Sequence, residues 1–297
     1  MVGRQDELQQ LDSVLNRVIG ERRCHLFTIV GGAGVGKSRL VREFVASFGA
    51  GARVLRGRCL PYGDGITYWP IMEIAREAAG IQPTDTADAA RDKLQALVTD
   101  PQVAESVASA IGLSQERSGT EQIAWGVRKL LEGIAGELPL VVIIDDIQWA
   151  EPVLLDLIEE VANWTQDAPL MLVCMARTEL HDERPTWSGG VLNSTTVLLD
   201  PLPADQSATL IRNLVGESVL QGALGRRIVE TAEGNPLFVE EMIGMLVDAG
   251  VLTRDGEGWQ LNGDIDRVEV PPTSRRFLPR GWTGCRPRSG RSRNADR

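Results

Sequence analysis

The chain has 297 residues, 43% hydrophobic and 24% charged, with 31 Gly and 15 Pro, proportions of a globular protein that exclude a disordered, collagen-like or low-complexity chain. No apolar run reaches the ~18 residues of a membrane span, and MVGRQDELQQ lacks the basic-then-apolar layout of a secretory leader, so a soluble protein of the cytoplasm with no membrane partner is expected. The formal charge of −10 is uneven: residues 271–297 hold eight Arg against Asp296 alone, which leaves −17 on residues 1–270 and argues against nucleic acid as a partner.

Leu8, Leu11, Leu15 and Val18 recur at three- and four-residue steps, which predicts an amphipathic helix from Asp6 to near Gly20. The mostly apolar run 24–30 then reads as a buried strand. It leads into a glycine cluster at 31–36 and a helix from Lys37 to about Phe48. Further strands are predicted at 52–58, 140–145, 170–176 and 195–199, the middle two continuous apolar runs suited to central parallel strands. Helical patterns separate them, so the fold class expected is an α/β parallel sheet flanked by helices on both faces, with right-handed crossovers. Beyond Pro201 the strand pattern stops. Leu210, Ile211, Leu214, Ile228, Val229, Val239, Met242, Ile243 and Leu246 mark a separate helical unit, and residues 251–261 carry a hairpin signal around Asp255-Gly256. The domains expected are 1–201, a helical lid at 202–250, a hairpin region at 251–270 and an Arg-rich tail at 271–297. Cys24, Cys59, Cys174 and Cys285 lie too far apart for a zinc site or disulfide framework and read as reduced thiols.

Residues 31–38, GGAGVGKS, match G-x-x-x-x-G-K-[ST] between a strand and a helix. Gly31, Gly34 and Gly36 let the backbone wrap a phosphate chain, with main-chain N–H groups and the helix N-terminus donating to its oxygens. Lys37 then supplies a positive charge to the outer phosphates and Ser38 a hydroxyl for Mg²⁺. The complementary acidic group belongs at the carboxyl end of a neighbouring strand, and LVVIIDD supplies Asp145 for the metal and Asp146 to polarise an attacking water. The same two carboxylates would also suit the cap of a following helix. Arg177, directly after the strand at 170–176, would emerge on the same edge, where a guanidinium can sense a γ-phosphate; an ordinary surface Arg is the alternative. Gln148 and Trp149 adjoin the acidic pair and suit either site shaping or packing.

Taken together, VGR at 2–4, GGAGVGKSRL at 31–40, GRCLPYGDGITYWP at 57–70, IIDDIQWAEP at 143–152 and EGNPLFVEEM at 233–242 resemble the bacterial STAND ATPases, signal-transduction ATPases with numerous domains. The resemblance is closest to the AAA-type modules of large LuxR-type transcriptional regulators and those following class III adenylate cyclase domains. It implies a P-loop NTPase domain with a small helical lid, binding ATP with Mg²⁺, hydrolysing it slowly and acting as a switch for other domains or subunits of a regulator. Nucleotide-dependent self-association is a further option. By the same resemblance, Val2, Gly3 and Arg4 contact the adenine side. Gly31, Gly32, Ala33, Gly34, Val35, Gly36, Lys37, Ser38 and Arg39 form the phosphate segment. Asp145 and Asp146 are the second acidic motif and Arg177 the sensor arginine. The proline of Gly234-Asn235-Pro236 packs near adenine, although Asn235 as helix cap and Pro236 at the first helical position explain that tripeptide structurally too. Within 57–70, Tyr62, Tyr68 and Trp69 are expected to pack rather than to touch ligand.

After VPPT the likeness to the family ends. The segment TSRRFLPRGWTGCRPRSG, in GC-rich codons read in a shifted frame, can encode the family's expected continuation, so residues from about Ser274 are expected to be an out-of-frame tail and the chain a fragment at both ends; a basic arm for nucleic acid is the competing view. Two other functions share the core motifs, a P-loop small-molecule kinase and an origin-recognition-like DNA-binding ATPase. No second substrate pocket speaks for the first, and the acidic body speaks against the second.

Overall fold

A computed structural model describes residues 1–261 apart from 62–66, 137, 218, 220–221 and 256–257. The expected Arg-rich tail, Cys285, Tyr62 and the turn at Gly256 therefore lie outside the described residues. Five strands, β1 (His25–Gly31), β2 (Arg53–Arg58), β3 (Leu140–Asp145), β4 (Leu170–Ala176) and β5 (Ser194–Leu199), form one sheet in the order β2-β3-β4-β1-β5. Every pairing is parallel. β1 and β4 are buried along their whole lengths, whereas the edge strand β2 alternates buried and exposed positions, as a strand with one open side must.

The alternation of side chains sorts the strands into two cores. Phe27, Ile29, Val141, Ile143, Met171 and Val173 face α1 (Gln5–Glu21) and α2 (Lys37–Phe48), which contribute Leu11, Leu15, Leu40 and Phe44. Leu26, Val30, Val142, Ile144, Leu172 and Cys174 point the other way. They pack with α3 (Trp69–Ala79), α4 (Ala87–Gln95), α5 (Pro101–Ala110), α6 (Thr120–Ile134) and α7 (Pro152–Trp164). Each fully buried aliphatic side chain contributes about 1.5–3 kcal/mol, so the two apolar faces fix the strand register. A short helix, α8 (Leu180–Glu183), follows β4.

After β5 the chain forms α9 (Ala204–Val215), α10 (Ala223–Ala232) and α11 (Pro236–Asp248), and then the antiparallel pair β6 (Leu252–Asp255) and β7 (Gly258–Leu261). Ile211, Val215, Leu224, Ile228, Val239, Met242 and Leu246 make a third apolar cluster of their own, so this helical unit holds together by internal packing. Pro236 sits in the first turn of α11, where its missing N–H leaves no hydrogen bond unmade, and Asn235 caps that helix by accepting from the Leu237 N–H at 3.1 Å. Among the described residues no helix is long and apolar enough to cross a membrane.

Candidate nucleotide site

Because β4 lies between β1 and β3, the carboxyl ends of those two strands stand roughly 10 Å apart at the usual strand spacing. The glycine loop leaves one end, the acidic pair leaves the other, and the residue after β4 emerges between them. The loop enters α2 through Gly36, whose φ of +103° is a conformation that a side chain opposes. Gly34, at φ +80°, has a second reason to lack a side chain: a Cβ there would lie 2.6 Å from Asn235 Oδ1 and 2.9 Å from Leu237 Cβ. The phosphate loop therefore packs directly against the start of α11.

Lys37 folds back over the loop, its Nζ donating to the carbonyls of Gly31 at 2.6 Å and Gly32 at 2.9 Å. Burial lowers its proton affinity, as does the neighbouring Arg177, while Asp146, Asp145 and Glu179 work in the opposite direction. Half-buried Arg177 thus lies within electrostatic reach of Lys37, as the end of β4 requires.

Asp145 ends β3, its Oδ1 accepting the Asp146 N–H at 2.8 Å. Its carboxyl is held above the usual range first by burial and then by Asp146, with the Asp146 N–H, Arg58 and Lys37 pulling it down. Asp146 adopts φ +57° and caps no helix through its side chain, and α7 begins only at Pro152. Both of its oxygens are engaged: Oδ2 accepts from Arg58 Nε at 3.0 Å and Nη2 at 2.7 Å, and Oδ1 from Gln148 Nε2 at 2.9 Å. Gln148 is buried and its Oε1 accepts the Arg177 N–H at 3.0 Å, so one amide ties the acidic pair to the end of β4. Trp149 beside it is 40% exposed, which leaves Gln148 as the residue of that pair that shapes the site. Arg58 and Asp145 are register partners across β2 and β3, yet spacing along the chain gives no sign of it.

A second recess lies on the other side of the loop. Val2, Arg4, Val35, Leu202, Leu210, Leu214 and Pro236 are among the residues lining a cavity of about 250 Å³, whose walls come from both the sheet domain and the helical unit. Arg4 is 7% exposed and donates from Nη2 to the Val35 carbonyl at 3.2 Å, and also to the Asp200 carbonyl, clamping the N-terminal segment onto the loop. Gly3 adjoins the side chain of Gln206 on α9. Across the loop, Asn235 Nδ2 donates to the Ala33 carbonyl at 2.9 Å and the Leu237 N–H to the Gly34 carbonyl at 3.3 Å, while Arg39 lies 3.7 Å from Glu240. Leu210, Leu214 and the Asn235–Ala33 bond were not legible as site features, because the partners are far apart in sequence.

The donor set fits a hard dication. Ser38 and Asp145 line one cleft, and the described residues hold no group of three or more His, Cys, Asp or Glu able to form an all-protein cage. Mg²⁺ characteristically takes one or two carboxylates and fills its remaining positions with water and phosphate oxygens. Cys24, Cys59 and Cys174 are buried free thiols; burial, with Asp146, Asp145 and Glu73 adding to it, pushes Cys59 up to about 12, which leaves it protonated and unreactive. From the segment at 57–70, Tyr68 packs partly buried against the core and Thr67 Oγ1 donates to Glu151 Oε2 at 2.6 Å.

A parallel sheet with a glycine-rich loop between β1 and α2, an acidic strand end two strands away and a helical unit behind it defines a P-loop ATPase fold of the AAA type. The family model described as AAA ATPase domain matches residues 1–173, more than half of the sequence, and the chain belongs to that family. A model for a domain of unknown function (DUF8739) matches residues 203–255. The uncharacterized protein R02095 of Rhizobium meliloti (strain 1021) is 27% identical over 260 residues, which cover 82% of this chain and 24% of that protein. The chain thus spans about a quarter of that relative's length. Among solved structures, ORC1 of Aeropyrum pernix in complex with DNA superposes with a TM-score of 0.53 at 14% identity, covering 86% of this chain and 62% of that one. A STAND protein with a tetratricopeptide repeat sensor from Pyrococcus horikoshii gives 0.44 at 15% identity, covering 88% and 41%. At 14% identity the likeness to ORC1 is one of fold.

Proposed function

We propose that the chain is the ATP-binding switch of a larger signalling or transcriptional regulator: residues 1–201 hold ATP with Mg²⁺ and hydrolyse it slowly, and the lid at 202–250 reports the nucleotide state to attached domains in the cytoplasm. In this reading Lys37 leaves the Gly31 and Gly32 carbonyls for the outer phosphates, and the N–H groups of residues 32–38 donate to phosphate oxygens. Ser38 and Asp145 hold Mg²⁺, which when bound neutralises charge between the outer phosphates. Asp146 orients the attacking water and Arg177 reads the γ-phosphate from the end of β4. Hydrolysis is slow because Arg58 and Gln148 hold Asp146: Oδ2 already accepts twice from the guanidinium, which leaves a single acceptor position, on Oδ1, for the attacking water.

The observation that carries the switch is the cavity of about 250 Å³ shared by Val2, Arg4 and Val35 on one side and Leu210, Leu214 and Pro236 on the other. A ligand shifts a two-state element only by its difference in affinity for the two states. A base held between the sheet domain and the lid binds one lid position better than another by construction. Calorimetric titration of the chain with ATP and magnesium, coupled to limited proteolysis of the lid, tests this. Binding that protects residues 204–248 is expected, and binding that leaves their cleavage unchanged defeats the switch.

A further inference from the structure

Between α2 and α3, floored by β2, β3 and β4, runs a cleft of about 670 Å³ that the nucleotide reading does not use beyond its rim at Ser38 and Asp145. Its walls gather Arg42 from α2, Arg56 and Arg58 from β2 and Arg76 from α3, with Ile143 and Met175 as an apolar floor. Collecting four guanidinium groups is unexpected in a sequence whose first 270 residues carry −17. Arg58 is paired with Asp146, but the side chains of Arg42, Arg56 and Arg76 make no hydrogen bond or ion pair with any described residue. The two glutamates on the α3 wall each direct an oxygen to the β2 backbone, Glu73 Oε2 accepting the N–H of Arg58 at 2.7 Å and Glu77 Oε2 that of Arg56 at 2.9 Å, and neither forms an ion pair with Arg42, Arg56 or Arg76. One turn of α3 thus seals the open edge of β2 against strand addition and leaves the guanidinium groups facing the cleft. Planar forks of donors over an apolar floor, in a volume typical of small-ligand sites, match a compact organic molecule bearing phosphate groups.

We infer that this cleft is an effector site for a small phosphorylated compound, held by Arg42, Arg56 and Arg76, and that its occupancy draws Arg58 away from Asp146 and so raises the rate of hydrolysis. The binding site stands independently of the nucleotide reading; the rate effect rests on it through Asp146.

Fructose 1,6-bisphosphate serves as the probe, titrated calorimetrically into the full chain at constant ionic strength. The expected result is one saturable site, weakened at least tenfold in the Arg56→Gln, Arg76→Gln double variant and retained in Lys37→Ala, which disables the phosphate loop. Arg56 and Arg76 are exposed, so the double variant keeps its melting temperature and its basal ATP turnover, but loses the acceleration that the probe gives the unsubstituted chain. The site is refuted by no saturable heat, by equal affinity in the double variant, by loss of binding in Lys37→Ala, or by equal competition from sulfate. Binding without acceleration, in a chain that does turn over ATP, refutes the effector role. A chain that binds no ATP but still binds the probe refutes the nucleotide reading and not the cleft.

Discussion

Asn235 is one of the contacts that join the lid to the phosphate loop, and its two hydrogen bonds can be told apart by substitution. Its Oδ1 caps α11 through the Leu237 N–H at 3.1 Å, and its Nδ2 reaches the Ala33 carbonyl at 2.9 Å. Asn235→Ala loses both. Losing an N-cap costs about 1 kcal/mol, but that cost falls on α11 whether or not the lid is docked; the part that docking loses is the bond to Ala33, an exposed neutral hydrogen bond contributing ~0.5–1 kcal/mol net. That part corresponds to a ~2- to 5-fold rise in the open population. Asn235→Ser keeps a capping oxygen and lacks the reach to Ala33, so it should show the same undocking without the loss of the cap. Amide hydrogen exchange followed by mass spectrometry, read on residues 204–215 and 236–248, measures both effects. Both variants should cut protection of residues 204–215 by a fewfold, and alanine alone should cut that of residues 236–248 by about an order of magnitude, with the sheet strands unchanged. Equal protection in all three proteins would show that the lid is held by apolar contacts alone and that this polar latch is energetically idle.

Lys37→Ala should reduce ATP affinity at least ~100-fold, since it removes the charge assigned to the outer phosphates, whereas Asp146→Ala should retain binding and slow turnover ~100-fold or more; radiolabelled ATP in filter binding and single-turnover assays separates the two, and unchanged turnover in the second variant would remove Asp146 from the mechanism. Gly34→Ala introduces a Cβ 2.6 Å from Asn235 Oδ1 at a φ of +80°, and should lower the melting temperature by several degrees and loosen the lid; an unchanged melt would mean the loop relaxes freely. His25 is held below its ordinary 6.5, first by burial and then by Arg17, with Glu21 opposing, so the native state favours the neutral ring. As pH falls through 6.5 the unfolded chain takes up the proton first, and stability should decline from there toward the lowered native value. Urea midpoints between pH 5 and 8 should show that slope, reduced in His25→Gln, and an unreduced slope would assign it to other groups.

Strands and phosphate loop were legible because their signals are local. A run buried on both faces, such as Leu170–Ala176, is apolar at every position, and the loop at 31–38 must satisfy backbone geometry and charge within eight consecutive residues. Asp145 followed from the rule that ligands gather at the carboxyl ends of parallel strands. Arg58 did not, although it belongs to the same layer. Nothing in its local sequence marks it, and only the strand order β2-β3-β4-β1-β5 makes it the register partner of Asp145. Asn235 presents the complementary case. Its capping role could be read from Asn-Pro opening a helix, but its second bond spans 202 residues and left no trace in spacing.

The contacts that the sequence did not show, Asn235 to Ala33 and Arg58 to Asp146, would act at different points of the proposed cycle. The first joins the helical unit to the loop beside the cavity shared by Val2 and Pro236, and the second holds the carboxylate assigned to the attacking water. Deciding how long a bound triphosphate survives, and what its presence moves, takes contacts that only the folded chain assembles. An Arg58→Gln variant that turned over ATP faster with unchanged affinity would separate the two controls. Equal or slower turnover would show instead that the guanidinium supports Asp146 and does not restrain it.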